Sequence, residues 1–261
     1  MIELGKEYRL QIYFGTRLFE TQGLFFDKDG TLVDLHHQYS TLMDKRVEKI
    51  LARYPQEEGF RRALSRAVGY DVDCRTIAPG GPLAVATREQ TLKIVTDFLS
   101  QQGLPFEKAE NIARESFHLA DLELRLDELI RPMNGLYSLL QALKGKNVSI
   151  ACLTNDEHRR AQAILEFLKI AEFFQLILGG DEVNRPKPDP EMIEAACKRL
   201  RLLPKQIVYI GDTVADMITA KEAGAGLAVG VLGGAANESL LAAVADVVIP
   251  NLEAISVPDN N

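Results

Sequence analysis

The chain has 261 residues, of which 46% are hydrophobic and 26% charged, and its formal net charge at pH 7 is −7. This balance is typical of a globular protein, and the length allows one large domain or two smaller ones. The acidic excess argues against nucleic acid as the main partner, because nucleic-acid-binding proteins carry a net or local basic excess. An anionic substrate would need a local positive group, such as a metal ion, a lysine or a helix N-terminus.

The three cysteines, Cys74, Cys152 and Cys197, are widely spaced along the chain. An odd number without a Cys-x-x-Cys pair indicates neither a disulfide framework nor a zinc site. No apolar run reaches the roughly 18 residues needed to span a bilayer. The first residues also lack the pattern of a secretory signal. We therefore expect a soluble, cytoplasmic protein that does not bind a membrane.

Predicted strands begin close to the N-terminus. Tyr8–Phe14 and Arg17–Phe25 flank Gly15-Thr16, and we expect them to pair as a hairpin that adds an antiparallel edge. Further apolar runs show little period-2 alternation, which is typical of strands buried on both faces. These runs are Gly23–Phe26, Val148–Leu153, Gln175–Leu178, Ile207–Ile210, Leu227–Leu232 and Asp246–Ile249.

Helix-like segments separate most of these runs. They are Glu157–Leu168, Pro190–Leu200, Ala215–Ala223 and Glu238–Val244. The alternation predicts an α/β fold, with a doubly wound parallel-sheet, Rossmann-like core and helices on both faces. Ligands in such folds bind beyond the carboxyl ends of the strands, so we expect the chemistry there.

One stretch, from about Leu35 to Pro132, breaks this alternation. Apolar residues recur there at helical spacing, and we predict no strand. They are Met43, Val47, Ile50, Leu51 and Tyr54, then Leu92, Val95 and Leu99, then Leu119, Leu122, Leu126 and Leu129. We predict that residues 1–34 and 133–261 form a Rossmann-like catalytic core, and that residues 35–132 form an inserted all-helical domain with its own small core.

Two aspartates follow the first core strand directly, in the sequence Asp27-Lys28-Asp29-Gly30. Residues two apart in an extended segment point the same way. We therefore expect Asp27 and Asp29 to reach the catalytic edge, and Lys28 to point elsewhere as a structural or surface residue. Gly30 permits the sharp turn that follows.

A second acidic cluster, Asp212 and Asp216, follows another predicted strand. If a helix begins near Thr213, Asp216 lies about one turn further on and faces the same edge as Asp212. The four carboxylates of the two clusters would repel one another unless a cation neutralised them. Mg²⁺, which prefers oxygen ligands and retains several waters, suits a few carboxylates and a phosphate.

Two further elements supply candidate phosphate-binding groups. Thr154 and Asn155 stand at the end of a predicted strand and the start of a helix, where a hydroxyl and backbone N–H groups can hold a phosphate. Lys187 lies between two prolines that stiffen its backbone, just before another helix. Its charge could lie near a nucleophile and a transferring phosphoryl group.

These residues, in this order, resemble the four signature motifs of the haloacid dehalogenase superfamily. The motifs read DKDGTL, LTN, the lysine of RPKPDP, and GDTVAD. The resemblance covers the chain except for roughly the first twenty residues, and the helical insertion matches the position of the family's helical cap. Four ordered motifs at predicted strand ends are far more specific than any one of them. The chain looks broadly like the branch that includes phosphoglycolate phosphatases.

The resemblance implies a role for each matching position. Asp27 corresponds to the nucleophile, which forms an aspartyl-phosphate intermediate. Asp29 corresponds to the acid that protonates the leaving oxygen and then to the base that activates water. Thr154 and Lys187 correspond to the groups that bind and neutralise the phosphoryl group, and both are expected catalytic residues.

The resemblance also implies a set of Mg²⁺ ligands. Asp27 and Asp212 correspond to the carboxylates that bind the ion from opposite sides. The backbone carbonyl of Asp29 completes the protein ligands, and Asp216 corresponds to an acidic position that more often binds through water. The implied activity is that of a Mg²⁺-dependent phosphoric monoester hydrolase with a small-molecule phosphate ester as substrate.

Asp29 separates this interpretation from dehalogenation, because a halide leaving group needs no proton and the family's dehalogenases lack an acid at this position. Two alternatives stay open. One is a sugar-phosphate mutase of the same superfamily, which shares the aspartate pair and the helical cap. The other is a non-catalytic binding module on the same scaffold.

Overall fold

The structure is a computed structural model that describes residues 9–258. In this range, eleven strands form in the order β1 (Leu10–Phe14), β2 (Arg17–Thr21), β3 (Gly23–Phe26), β4 (Tyr70–Asp71), β5 (Thr76–Ile77), β6 (Ser149–Leu153), β7 (Leu176–Leu178), β8 (Ile207–Gly211), β9 (Leu227–Val231), β10 (Val247–Ile249) and β11 (Ile255–Ser256). The helices in the same range are α1 (Leu35–Arg53), α2 (Glu58–Ala67), α3 (Pro82–Val85), α4 (Arg88–Gln101), α5 (Phe106–Glu123), α6 (Leu126–Leu129), α7 (Leu136–Leu143), α8 (His158–Phe167), α9 (Glu191–Leu200), α10 (Val214–Glu222) and α11 (Glu238–Ala242).

The described chain divides into two compact units. One contains residues 9–33 and 132–258, and the other contains Asp34–Arg131. The N- and C-terminal residues 1–8 and 259–261, which the sequence-based core includes, lie outside the described range. The assignment of the two units as catalytic core and cap stays a prediction.

A six-stranded parallel sheet forms the centre of the first unit, with the strand order β10-β9-β8-β3-β6-β7. Strands β3 and β8 are buried along their whole length, as their continuous apolar sequences predict. Helices flank the sheet, and one large cluster of buried residues includes Met192 and Ile193 of α9 and Met217 of α10. The α/β, Rossmann-like prediction is confirmed.

The sheet order determines which loops meet. Strand β3 lies between β8 and β6, with Phe26 opposite both Ile210 and Cys152. All these strands run in the same direction, so their carboxyl ends lie at one edge of the sheet. The segments that follow β3, β8 and β6 are those that begin with Asp27, Asp212 and Thr154.

A second, small sheet corrects one expectation about the N-terminus. Strands β1 and β2 do pair as an antiparallel hairpin, with Phe14 opposite Arg17. The hairpin does not extend the parallel sheet, because β1 pairs on its other side with β11 to form a separate three-stranded sheet. The predicted second strand also ends early, at Thr21, and Gly23 starts β3. Tyr8, the first residue of the predicted hairpin, lies outside the described range.

The second unit is mainly helical, and α5 packs against both α1 and α4. Its buried residues include most of the predicted apolar positions of α1 and α4, among them Met43, Val47 and Val95. The prediction of an all-helical insertion is wrong in one detail, because β4 and β5 form an antiparallel hairpin in which Tyr70 lies opposite Ile77. Strands of two residues are too short to produce a detectable sequence pattern.

The predicted helical stripe from Leu119 to Leu129 is also wrong, because α5 ends at Glu123 and the short helix α6 begins at Leu126. Leu122 is 67% exposed, whereas Phe117 and Ala113 are fully buried. The buried residues of α5 contain no leucine, so the spacing of leucines did not predict which face is buried. They are Ala109, Ile112, Ala113, Ser116, Phe117 and Ala120. No helix among the described residues is long and apolar enough to cross a membrane.

Candidate active site

Three buried carboxylates meet at the carboxyl edge of the parallel sheet. One oxygen from each of Asp27, Asp212 and Asp216 lies within 4.8 Å of the others. Asp212 and Asp216 are almost fully buried, and Asp27 is 6% exposed. Carboxylates at this spacing out of water are costly unless cations or hydrogen bonds compensate them.

The start of α10 holds Asp216 in place. Thr213 is the N-cap residue, and its hydroxyl accepts a hydrogen bond from the Asp216 N–H at 3.0 Å. The Thr213 N–H and hydroxyl in turn donate to Asp216 Oδ2, at 3.1 and 2.5 Å. This reciprocal arrangement is a capping box in which an aspartate takes the place of the usual glutamate. The other oxygen, Oδ1, faces the cluster.

The carboxylate of Asp212 lies in a close-fitting site formed by two loops. The Ala235 N–H donates to Asp212 Oδ2 at 2.6 Å. A Cβ atom added to Gly30 or to Gly234 would lie 2.1 Å from the same oxygen. Only glycine leaves room for the carboxylate at either position, and Gly30 also has a φ of +83°, which disfavours other residues.

Lys187 supplies a buried positive charge to the cluster. Its Nζ lies 2.5 Å from Asp27 Oδ1 and 2.7 Å from Asp216 Oδ1. The Leu153 carbonyl and the Tyr209 hydroxyl each lie 3.2 Å from the same nitrogen. The ammonium therefore lies between the carboxyl ends of β6 and β8, directly beside Asp27.

Asn155 fixes the loop that carries Lys187. Its side-chain amide donates to the Lys187 carbonyl at 3.1 Å, and its Oδ1 accepts from the Lys187 N–H at 3.0 Å. The Asn155 side chain is therefore engaged with protein backbone, which leaves its backbone N–H as the group for the predicted phosphate contact. Thr154 is 2% exposed, and its Oγ1 accepts from the Asp156 N–H at 3.1 Å.

The structure corrects the expectation for Lys28. This residue is fully buried, and its Nζ lies 2.7 Å from both carboxylate oxygens of Asp29. The same nitrogen lies 3.2 Å from Asp156 Oδ2. The prediction that Lys28 points elsewhere is wrong, because its long flexible stem returns to the neighbouring carboxylate. Asp29 itself stays partly accessible, with 19% of its side chain exposed.

Burial dominates the ionisation of the cluster. It raises the pKa of Asp27 to about 7, although Lys187 lowers this pKa, and Asp216 and Asp29 raise it further. Burial also raises the pKa of Asp212 well above its ordinary value, with contributions from Asp27 and Asp216. For Lys187, burial acts to lower the pKa, but Asp216 and Asp27 outweigh it and raise the pKa well above the usual value. Burial and mutual repulsion therefore favour the protonated forms of Asp27 and Asp212, despite the ammonium beside them.

The residues present fit a Mg²⁺ ion. The donors of Asp27, Asp212 and Asp216 are all oxygens, which is what a hard divalent cation prefers. A divalent cation would favour the ionised forms of Asp27 and Asp212, because it would offset the like-charge repulsion between them that burial strengthens. The side chain of Asp29 is held by Lys28, so only its backbone carbonyl is available in the role predicted from the sequence.

Three residues that contact the site were not predicted from the sequence. The Tyr209 hydroxyl donates to Asp216 Oδ1 at 3.1 Å and also contacts Lys187. Gly234 and Ala235 contact Asp212 from the loop after β9. A tyrosine within an otherwise aliphatic buried strand is a sequence signal for the first. Gly234 and Ala235 have no such sequence signal, because their proximity to Asp212 depends on the pairing of β8 with β9.

Known proteins resemble this chain over most of its length. Residues 21–224 match a family model described as haloacid dehalogenase-like hydrolase. The phosphoglycolate phosphatase of Salmonella typhimurium is 28% identical over 209 residues, which are 80% of this chain and 80% of that protein.

Solved structures share the fold. A predicted phosphoglycolate phosphatase from Haemophilus somnus is 23% identical, with a TM-score of 0.66 over 89% of this chain and 95% of its own. A proposed beta-phosphoglucomutase from Thermotoga maritima is 22% identical, with a TM-score of 0.63 over 89% of this chain and 96% of its own. The same fold thus occurs in a protein described as a phosphatase and in one described as a mutase, so the fold alone does not distinguish these two activities.

Proposed function

Because this chain belongs to the haloacid dehalogenase-like hydrolase family, we propose that it is a Mg²⁺-dependent phosphatase that hydrolyses a small-molecule phosphate monoester through an aspartyl-phosphate on Asp27. The observation that carries the proposal is the contact between Asp27 Oδ1 and Lys187 Nζ within a cluster of three buried carboxylates. A carboxylate placed beside a fixed ammonium can approach an anionic phosphoryl group. The phosphatase activity named for the Salmonella relative supports the same class of reaction.

The first half-reaction transfers the phosphoryl group to the protein. An Asp27 oxygen attacks the phosphorus, a new P–O bond forms, and the bond from phosphorus to the leaving oxygen breaks. Asp29, protonated at this stage, gives its proton to the leaving oxygen and becomes a carboxylate. Lys187 and Thr154 hold the phosphoryl oxygens and stabilise the charge that spreads over them.

The second half-reaction releases phosphate. The carboxylate of Asp29 takes a proton from a water molecule, whose oxygen attacks the phosphorus of the aspartyl-phosphate. The bond from phosphorus to the Asp27 oxygen breaks, and Asp29 is protonated again for the next cycle.

Asp27, Asp212, Asp216 and the Asp29 carbonyl would hold the Mg²⁺ ion. When bound, the ion supplies positive charge that lets an anionic nucleophile and an anionic substrate approach one another. The site residues then act as a pre-organised unit, because Thr213 orients Asp216 and Ala235 orients Asp212.

The substrate class follows from the relatives. Phosphoglycolate is the first ester to test, because it is the substrate named for the relative that is 28% identical. A sugar-phosphate mutase differs in returning the phosphoryl group to a sugar rather than to water. Phosphate release without a bisphosphate activator separates the two reactions.

The proposal is tested by measuring phosphate release from 4-nitrophenyl phosphate and from phosphoglycolate. Each ester is assayed with Mg²⁺ and with a chelator, for the natural protein and for the variants Asp27→Asn and Asp29→Asn. We expect Mg²⁺-dependent release by the natural protein and losses of at least about 100-fold in both variants. Release that persists in folded Asp27→Asn would overturn the proposed nucleophile. If folded protein releases no phosphate from either ester but converts β-glucose 1-phosphate when glucose 1,6-bisphosphate is added, the mutase reaction replaces the proposal.

A further inference from the structure

Lys28 is a buried ammonium next to the proposed acid–base residue, and the reaction described above gives it no role. It is 0% exposed, whereas lysine side chains are almost always at least partly in water. Its Nζ contacts both oxygens of Asp29 at 2.7 Å and one oxygen of Asp156 at 3.2 Å. The ammonium therefore joins the loop after β3 to the loop after β6.

The energetics of burial make this contact persistent. An ammonium removed from water without partners is strongly unfavourable, so Lys28 depends on its two neighbouring carboxylates. In the carboxylate form, contact with both Asp29 oxygens fixes the plane of the group, which a single hydrogen bond would leave free to rotate. In the protonated form, one oxygen can still accept from Lys28 while the other carries the proton for the leaving group. Backbone hydrogen bonds hold the base of Lys28, because its carbonyl accepts from the N–H groups of Leu32 and Val33 at 2.9 and 3.0 Å.

The proposed reaction requires a fixed Asp29. General acid catalysis depends on the distance and direction between the donor oxygen and the leaving oxygen, and a small displacement of the donor removes most of its effect. Resting on the proposed function, we propose that Lys28 is a positioning residue that holds the Asp29 carboxyl group in line with the leaving oxygen of the substrate. A lysine with only a structural role would support the two loops without affecting proton transfer.

The dependence of the rate on the leaving group distinguishes these roles. A substrate whose leaving group is stable as an anion needs no proton, whereas a poor leaving group needs one in the transition state. The ratio kcat/KM includes only the steps up to departure of the leaving group, so later hydrolysis of the aspartyl-phosphate does not affect it. A defect in positioning Asp29 should therefore grow as the leaving group becomes poorer.

The experiment measures kcat/KM for 4-nitrophenyl, phenyl and 4-methoxyphenyl phosphate with Mg²⁺ in the natural protein, Lys28→Met, Lys28→Gln and Asp29→Asn. For Lys28→Met we expect a loss of about tenfold or more on 4-methoxyphenyl phosphate and of less than about twofold on 4-nitrophenyl phosphate. Lys28→Gln keeps a donor to Asp29 without the charge, and we expect it to fall between Lys28→Met and the natural protein. Combined with Asp29→Asn, the Lys28→Met change should have no further effect on the leaving-group dependence.

Lys198→Met is the matched control, because Lys198 is an exposed residue in the last turn of α9. It should leave all three kcat/KM values unchanged. An equal loss on all three esters in folded Lys28→Met and Lys28→Gln, or no loss at all, would overturn the positioning role while leaving the proposed function intact. No phosphate release by the natural protein, with Asp27→Asn indistinguishable from it, would overturn the proposed function and this inference together.

Discussion

At the scale of single residues, the site requires glycine at positions where any side chain would overlap a carboxylate. Asp212 Oδ2 occupies space that a Cβ on Gly234 would need, at a separation of only 2.1 Å. The carboxylate is also bound by the Ala235 N–H from the same loop. Even the smallest substitution at Gly234 must therefore move either the loop or a proposed metal ligand.

We expect Gly234→Ala to weaken Mg²⁺ binding by about tenfold or more, because residues that orient a metal ligand contribute about this much to affinity. Isothermal titration calorimetry with MgCl₂ measures the affinity directly. Gly233→Ala is the matched control: its φ of +93° makes alanine unfavourable, but its added Cβ would contact only Met133, at 3.4 Å. It should lower thermal stability and keep the Mg²⁺ affinity. Equal affinities in all three proteins would contradict this explanation of Gly234.

Part of the candidate site can be predicted from the sequence, residue by residue. The sequence predicts that four carboxylates converge, because Asp27, Asp29 and Asp212 follow buried strands and Asp216 lies one helical turn after Asp212. Asp27, Asp212 and Asp216 do meet, whereas both oxygens of Asp29 contact Lys28. The prediction for Lys28 is wrong, since the alternation of side chains along a strand gives the direction of Cβ and does not determine where a four-carbon stem ends. Gly234 could not be identified, because its role arises only when β9 lies beside β8.

At the scale of elements, the N-terminus of α10 connects helix stability to the site. Thr213 caps the helix and donates to Asp216, so one residue satisfies backbone groups and orients a carboxylate. An N-cap of this kind contributes about 1 kcal/mol to stability. Loss of the cap should therefore affect folding and metal binding together.

Thr213→Ala should lower the free energy of unfolding by about 1 kcal/mol and also reduce Mg²⁺-dependent turnover. Urea unfolding and phosphate release give the two values. Asn237→Ala is the control, since Asn237 caps α11 by accepting from the Leu240 N–H at 3.0 Å, and its Oδ1 also accepts from the Ser239 hydroxyl of the same helix. It should cost stability alone. Equal losses of turnover in both variants would mean that destabilisation, and not the orientation of Asp216, is responsible.

Elements were predictable where burial dictated their sequence. Strands β3 and β8 are apolar throughout because helices cover both faces of the sheet, and the sequence-based bounds of both strands are close to those observed. Strand β11 was not predicted, because two residues are too few to show a hydrophobic pattern. Its pairing with β1 was therefore also not predicted, and β1 belongs to a different sheet from the one expected. Both the existence of β11 and the sheet to which β1 belongs depend on pairing between distant parts of the chain.

At the scale of the whole molecule, an acidic protein buries three carboxylates at one site. The pKa of Asp27 in the folded protein is raised from 3.8 to about 7, mainly by burial. Between these values the folded state binds more protons than the unfolded state, so this group's contribution to stability falls as the pH rises. Ionised Asp27 is also the form that a cation requires, so affinity for a cation should rise over the same range.

We therefore expect Mg²⁺ to raise the melting temperature more at about pH 8 than at about pH 6. Thermal unfolding in a chelator and in MgCl₂ at the two pH values measures this difference. Other groups titrate in the same range, so Asp27→Asn is measured in parallel, and its Mg²⁺ effect should depend less on pH. A Mg²⁺-induced shift that is the same at both pH values in the natural protein would contradict the assignment of Asp27 as a titrating ligand.

Family membership and the α/β core were recoverable from the whole sequence because three of the four short motifs directly follow a core strand and the fourth, which contains Lys187, precedes α9. The prediction of a haloacid dehalogenase-like enzyme is confirmed by the family match over residues 21–224. The second unit is less predictable from the sequence, since the buried face of α5 includes small residues such as Ala113 and the strands of the β4–β5 hairpin have only two residues each. Neither feature has a sequence period.

We propose that the phosphoryl group passes through Asp27, and trapping it on this residue tests that step. In Asp29→Asn, a substrate with a good leaving group, such as 4-nitrophenyl phosphate, should still phosphorylate Asp27, while water is no longer activated. Acid quenching followed by peptide mass spectrometry should then find one added phosphoryl group on the peptide that contains Asp27. A phosphoryl group on another residue would contradict the role of Asp27 as the nucleophile. So would the absence of a phosphoryl group in Asp29→Asn when the natural protein turns over the same ester.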